Sequence, residues 1–270
     1  MTLLTMLGSG SRGNACTLTS GGATILLDAG FSAREIARRV ELSGASLTGL
    51  CGVALTHEHG DHSQGAIRIA RRYGVPVLTS PGTWRALGAP SDVEFRALRT
   101  TTRTECGPFT LAGCSLLHDA TEPLALTVTT TDGLCLGVAY DFGRATQALR
   151  YHFRELHAIV VEANYDEVML RTSQYPASVQ HRIAGSGGHL SNRATAQFLT
   201  EVHHAGLVTV VLAHLSQRCN SPAVARAAVE PVLRRSGFHG DLYVAGQDLP
   251  LAPIPIRLSP SAMPDLWSAV

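Results

Sequence analysis

Several features are missing from this sequence, and each absence removes a class of protein. No apolar stretch approaches the roughly 20 residues of a membrane-spanning helix. The N-terminal run Met1-Thr2-Leu3-Leu4-Thr5-Met6-Leu7 carries no basic region and leads straight into a glycine loop, so it reads as a first strand rather than a signal peptide. The six cysteines, at 16, 51, 106, 114, 135 and 219, never approach CxxC spacing, which argues against a zinc ribbon or a thioredoxin-like pair. Most of them lie inside apolar runs and read as small core residues. An excess of one charge is also missing. With 22 basic and 21 acidic side chains the formal net charge is +1, so any basic path for nucleic acid must be local. Low-complexity linkers and strict internal repeats are absent as well. What remains is the expectation of a cytoplasmic protein with reduced cysteines and no membrane partner.

The 270 residues, 45% hydrophobic and 16% charged, suffice for a sizeable buried core. One domain is expected over residues 1–249, followed by a proline-rich tail over 250–270 with prolines at 250, 253, 255, 260 and 264. Twelve histidines exceed ordinary structural use. Three of them fall in Thr56-His57-Glu58-His59-Gly60-Asp61-His62, directly after the apolar run Cys51-Gly52-Val53-Ala54-Leu55. That run reads as a buried strand, so the cluster sits where a strand gives way to a loop. Alternate residues of an extended segment share a face, which puts His57 and His59 together, and the following turn can bring Asp61 and His62 beside them. Two adjacent sites rich in nitrogen and oxygen ligands suit a pair of zinc-like ions.

The rest of the chain alternates strand and helix signals. Gly8 to Asn14 is a loop of glycines, hydroxyls and an amide that can turn backbone N–H groups toward an anion, which makes Ser9 and Asn14 candidates for substrate contact. An ordinary hairpin turn is the alternative. Paired strands are expected around Gly21-Gly22, and another pair across Thr131-Asp132-Gly133. Helices are expected after Ser32, from Gly65 to Tyr73, from Ala145 to Glu155, after Ser191 and after Ser221-Pro222. The segment before Ile183 reads as irregular. Early antiparallel strands followed by strand–helix alternation suggest two packed sheets with helices outside, an α+β fold.

Polar residues recur directly after apolar strands: His57 and His59, then His118, Asp141 and His214. Strand ends gather along one rim, where these residues can converge. Imidazole and carboxylate suit zinc, manganese or iron, and a carboxylate such as Asp141 can bridge two ions. A bridged pair makes hydroxide available near neutral pH.

This ordered set, His57-x-His59-x-Asp61-His62 followed by His118, Asp141 and His214, resembles the five-motif signature of the metallo-β-lactamase superfamily. Asp28 resembles that family's early strand-end aspartate. The resemblance implies a four-layer αββα sandwich holding two divalent metal ions, zinc foremost, with manganese or iron as alternatives. It implies His57, His59 and His118 at one ion, Asp61, His62 and His214 at the other, and Asp141 between them. The Gly8–Asn14 loop, His118-Asp119-Ala120, Glu162 to Asp166, Gly188 to Asn192 and His214-Leu215-Ser216 further resemble the WalJ/YycJ branch. That branch is associated with phosphodiester hydrolysis, including 5′-to-3′ exonuclease action on DNA, and is related to the PhnP-type phosphodiesterases. Those carry an extra histidine before the last ligand, and His189, 25 residues before His214, matches it. The cysteine-based zinc site of the PhnP type has no counterpart here. Nor do the 72 residues between Asp141 and His214 leave room for the inserted clamp domain of the β-CASP nucleases.

The expected function is therefore metal-dependent hydrolysis of a phosphodiester, DNA included, with Asp61 and His189 as catalytic residues. Asp119 is expected either to back a ligand or to be an ion-paired surface carboxylate, and Glu162 and Asn164 to support the rim. An acyl hydrolase acting on thioesters or lactones, or a non-catalytic binder stabilised by metal, would use the same ligand set. The oligomeric state is open, a homodimer included.

Overall fold

Glycine and hydroxyl-rich turns close each early apolar run, so the chain opens with a meander. The computed structural model describes residues 1–257. In it β1 (Thr2–Gly8), β2 (Ala15–Ser20) and β3 (Ala23–Leu27) pair antiparallel, with Gly21 and Gly22 both at positive φ in the β2–β3 turn. Helix α1 (Ala33–Ser43) starts where Ser32 Oγ accepts the N–H of Glu35, and stops at Gly44 in the left-handed region. It crosses to β4 (Leu50–Ala54), parallel to β3. Helices α2 (Gly60–Ser63) and α3 (Ala66–Tyr73) lead to β5 (Val77–Thr79), and α4 (Pro81–Ala86) leads to β6 (Phe95–Ala97), continuing the parallel set.

The second half begins with antiparallel strands: β7 (Thr104–Cys106), β8 (Phe109–Ser115), β9 (Leu124–Thr130) and β10 (Cys135–Ala139). After α5 (Gln147–His152), strand β11 (Ala158–Glu162) joins β10 in parallel. Helices α6 (Glu167–Arg171), α7 (Ala177–Ala184) and α8 (Asn192–Val202) precede β12 (Thr209–Ala213). Helix α9 (Pro222–Arg235) precedes β13 (Asp241–Val244), and β14 (Ile254–Ile256) returns to pair with β1.

Two seven-stranded sheets result, ordered β14-β1-β2-β3-β4-β5-β6 and β13-β12-β11-β10-β9-β8-β7. Their inner faces meet in one apolar cluster, with Leu4, Met6, Leu18 and Ile25 from the first sheet against Leu111, Leu126, Val138 and Val160 from the second. Truncating such a residue to alanine costs roughly 2–5 kcal/mol. Outside the first sheet, Ile36 and Val40 of α1 pack with Ala66 and Ile69 of α3. Outside the second, Phe198 and Leu199 of α8 pack with Ala225 and Val229 of α9. These are the four αββα layers expected.

Two segments differ from expectation. The stretch read as irregular contains α6 and α7. Asp166 nucleates α6 by accepting the N–H groups of Val168 and Met169, while α7 buries none of its residues and so lacks the apolar stripe that marks a helix in sequence. The tail assigned to 250–270 contributes β14 to the sheet. Pro255 is tolerated there because β14 is an edge strand. Residues 258–270 of that tail lie outside the described residues. Among the described residues, no helix is long and apolar enough to cross a membrane.

Candidate metal centre

The strand directions bring the polar strand ends together. Strands β8 and β10 both run antiparallel to β9, and β10, β11 and β12 are mutually parallel, so all four finish at one rim. There the second sheet presents His118, Asp141, Glu162 and His214, and the first sheet presents Asp28 after β3 and the His57–His62 segment after β4. Asp28, Asp141 and His214 leave their strands at φ of 54°, 53° and 51°, in the left-handed region that non-glycine residues rarely enter. Such a conformation costs of order 1–3 kcal/mol per residue and persists only where the surroundings impose it.

Three groups of ligand-type atoms result, each with its atoms within 4.8 Å of one another, the last two sharing Asp141 and His214: His57, His59 and His118; Asp61, His62, Asp141 and His214; and Asp141, Glu162, His189 and His214. Asp141 joins them. Its Oδ2 lies 2.8 Å from His62 Nε2 and 3.4 Å from His57 Nε2, and its Oδ1 lies 2.8 Å from His214 Nδ1 and 3.0 Å from His189 Nδ1. Asp61 Oδ2 stands 3.7 Å from Nε2 of both His62 and His214. His57 and His59 follow the strand rather than extend it, since β4 stops at Ala54. They converge through the loop into α2, with His57 Nε2 3.1 Å from His59 Nδ1.

A buried frame holds these side chains. Asp28 Oδ2 contacts His62 Nδ1 at 2.7 Å, and Thr56 donates to Asp28 from both its N–H and its hydroxyl. Glu162 accepts the backbone N–H groups of Phe142 and Leu190 through Oε1 and faces His189 and His214 through Oε2, at 3.2 and 3.4 Å. Asn164 Nδ2 donates to the carbonyl of His214. Glu58, which sequence reasoning passed over, ties the His57–His62 loop down by accepting from Thr121 N–H and from the hydroxyls of Thr121 and Thr83. Its only sequence signal is its place inside the cluster. His118 Nδ1 lies 3.0 Å from the carbonyl of Gly187, and Asp119 is exposed with no hydrogen bond or ion pair among the described residues.

Ser9 and Asn14 lie behind the His57–His62 segment. Both are buried, and their hydrogen bonds point inward rather than toward a substrate. Ser9 Oγ donates to Asn14 Oδ1 and accepts the N–H of His214, while Asn14 Nδ2 lies 3.1 Å from His62 Nε2 and donates to the carbonyls of Gly10 and Asp61. The glycine loop therefore braces the His57–His62 segment. Gly30 permits that approach, because a Cβ there would collide with the backbone of Asp61.

Electrostatics divides the site. Burial lowers His57 well below the usual imidazole range, reinforced by His62 beside it, and burial likewise lowers His118. Both thus present neutral imidazole, the form that ligates metals. For His62 and His214 burial acts the same way but is outweighed by carboxylates: Asp28 and Asp141 push His62 up to about 10, and Asp141 holds His214 well above its ordinary value. His189 is raised to about 9 against its own burial by Asp141 and Glu162. Asp141 stays low despite complete burial because the charges of His214 and His62 face it. This half of the centre favours positive charge.

The donor set fits divalent ions on a further observation. Asp141 Oδ1 and His214 Nε2 are buried and make no hydrogen bond among the described residues, so the close approaches to Asp141 Oδ1 are charge contacts without hydrogen-bonding alignment. A buried polar atom left unpaired costs about 1–3 kcal/mol, a cost that cations held in this centre would offset. Nitrogen and carboxylate oxygen donors with no thiolate suit zinc, manganese or iron.

A two-sheet sandwich with this rim defines a class, and the chain belongs to it: residues 23–215 match the beta-lactamase superfamily domain. Among individual relatives, it is 30% identical over 238 residues to exodeoxyribonuclease YycJ of Bacillus anthracis, covering 86% of this chain and 89% of the relative. It is 26% identical over 221 residues to exodeoxyribonuclease WalJ of Streptococcus pneumoniae, covering 80% and 82%. The metallo-beta-lactamase fold protein YhfI of Bacillus subtilis superposes with a TM-score of 0.69 at 15% identity, over 93% of this chain and 99% of that one, a likeness of fold.

Proposed function

We propose that this chain is a metal-dependent phosphodiesterase that removes nucleotides from DNA, acting from the 5′ end. The observation that carries the reading is the placement of Asp141 between two groups of imidazoles, with His189 held on its open side. Similarity to two relatives named exodeoxyribonucleases supports the choice of substrate. His57, His59 and His118 would hold one ion and Asp61, His62 and His214 the other, with Asp141 between, and zinc is the ion the donors suit best. Bound there, two such ions would polarise the phosphate and supply hydroxide near neutral pH.

The chain's own residues do the rest. Asp61 lines the cleft with its side chain 27% exposed, where it can orient a water and accept its proton. His189 spends Nδ1 on Asp141 and Glu162, which fixes the ring and leaves Nε2 for a phosphate or leaving-group oxygen. Glu162, anchored by two backbone N–H groups, keeps that ring in place. A cytoplasmic setting, expected from the sequence, goes with a DNA substrate.

The test is an assay of zinc- and manganese-loaded protein on bis-p-nitrophenyl phosphate and on end-labelled DNA, with Asp61→Asn as control. Metal-dependent release of nucleotides from the 5′ end is expected, reduced roughly 100-fold or more in the variant. Turnover of thioesters or lactones with none of phosphodiesters would replace this reading by acyl hydrolysis. Full metal content with neither activity would leave a metal-stabilised binding protein.

A further inference from the structure

We infer that the wall of the cleft beyond the metal centre is a track for the single-stranded end of a nucleic acid, with Tyr175 as its stacking surface and Arg182 and Arg218 as its phosphate partners. The inference rests on the phosphodiesterase reading and names what the site holds besides the reacting bond.

Two cavities share one side chain. The cleft of about 380 Å³ that contains His59, Asp61, His118 and His189 is closed on one side by Tyr175 and Arg182. A second cavity of about 420 Å³ lies on the far side of Tyr175 and is lined by Thr172, Ser173, Gln174 and Arg218. The half-buried Tyr175 packs on Tyr165, Leu170 and Cys219, and the guanidinium of Arg218 lies over its ring, 5.4 Å from the centroid, where a base would have to displace it to stack. Its backbone is tied through an N–H bond to Ser173 Oγ and a carbonyl that accepts from Gln180. Arg182 is the one arginine lining the metal cleft, and neither it nor Arg218 has an acidic partner among the described residues.

The helix carrying Arg182 meets the core only through the partly buried Ile183, which packs on the Tyr165, Leu170 and Cys219 cluster. It buries no residue, yet its end is locked to the metal centre: His189 N–H donates to the carbonyl of Ile183, His118 Nδ1 meets the carbonyl of Gly187, and Gly143 lies against Gly185 so closely that no Cβ would fit. An exposed helix clamped to ligands serves to wall the cleft. A tyrosine with one arginine in the metal cleft and another over its ring matches the alternation of base and phosphate along a strand. Every base has a face to stack, but only an unpaired base can offer it. All 22 basic side chains of the chain are arginine, and its planar fork suits phosphate oxygens. A small cyclic phosphodiester would occupy the metal end and leave Arg218 untouched.

The test compares Tyr175→Ala, Tyr175→Phe, Arg182→Gln and Arg218→Gln with wild type in the metal-loaded full chain. KM is measured on a labelled single-stranded oligonucleotide and on bis-p-nitrophenyl phosphate, and oligonucleotide affinity by fluorescence anisotropy. In Tyr175→Ala the rise in oligonucleotide KM should exceed that on the small substrate roughly 5- to 100-fold, and Tyr175→Phe should restore it. Each arginine variant should flatten the salt dependence of binding. Equal losses on both substrates, or unchanged affinity in all variants, overturn the track. Equal affinity for blunt duplex and single strand overturns its single-strand character. If wild type cleaves no phosphodiester the functional reading fails instead, and the anisotropy comparison still decides the track.

Discussion

Asp28 Oδ2 lies 2.7 Å from Nδ1 of His62, in a contact with both side chains fully shielded from water. The opposite nitrogen of that ring, Nε2, is thereby aimed at Asp141, 2.8 Å away. One carboxylate outside the ligand groups thus sets the orientation of a residue at their centre, and Thr56 in turn holds the carboxylate.

Asp28→Asn keeps the shape of this contact and removes its charge. Metal affinity, read by competition with a chromogenic chelator, should fall on the order of 10- to 100-fold, with activity falling alongside. Retention of wild-type affinity would show that His62 is oriented by packing alone.

Gly143→Ala should displace the end of α7, because the added Cβ would strike the carbonyl oxygen of Gly185. Both partners are backbone, so neither can swing aside. Overpacking of this kind costs about 1–3 kcal/mol. The expected result is a lower midpoint in urea together with faster amide exchange over residues 183–189. A variant as stable as wild type, with unchanged exchange, would contradict the close approach.

Glu35 gives a pH signature remote from the metals. Hydrogen bonds from Arg38, opposed by slight burial, and then from Arg39 hold its carboxyl down from 4.5 to about 2. A depressed carboxyl contributes stability that is complete above its unfolded pKa and is lost as pH falls through its folded one. Wild type should therefore exceed Glu35→Gln by a constant margin from neutrality down to about pH 4.5, and the margin should close toward pH 2. Urea titrations across that range measure it. A margin that widens on acidification would reverse the sign. Arg39 makes the pair consequential, since it is buried, donates to the carbonyls of Leu7 and Gln247, and stacks on Phe31.

The candidate metal ligands were legible because three histidines and an aspartate fall within six residues, and the others each follow an apolar strand. Strand direction, which periodicity reveals only indirectly, then made them converge. Glu162 was visible as a polar strand end, but its grip on His189 depends on two backbone N–H groups from separate segments, Phe142 and Leu190. The burial of Ser9 and Asn14 was not legible, because a loop of hydroxyls and amides looks the same in sequence whether it faces a ligand or supports one. Strand β14 was hidden because its partner, β1, lies at the other end of the chain. Helix α7 was hidden because it buries nothing.

The left-handed backbone at Asp28, Asp141 and His214 has a practical consequence for anyone altering this protein. Glycine would relax each position, and asparagine adopts this conformation more readily than most side chains. Selection for heat resistance alone will be drawn to these three positions, and every substitution it accepts there removes a candidate ligand or the carboxylate that orients one. Variants chosen for hardiness should lose their metals first, unless metal retention is screened in the same round.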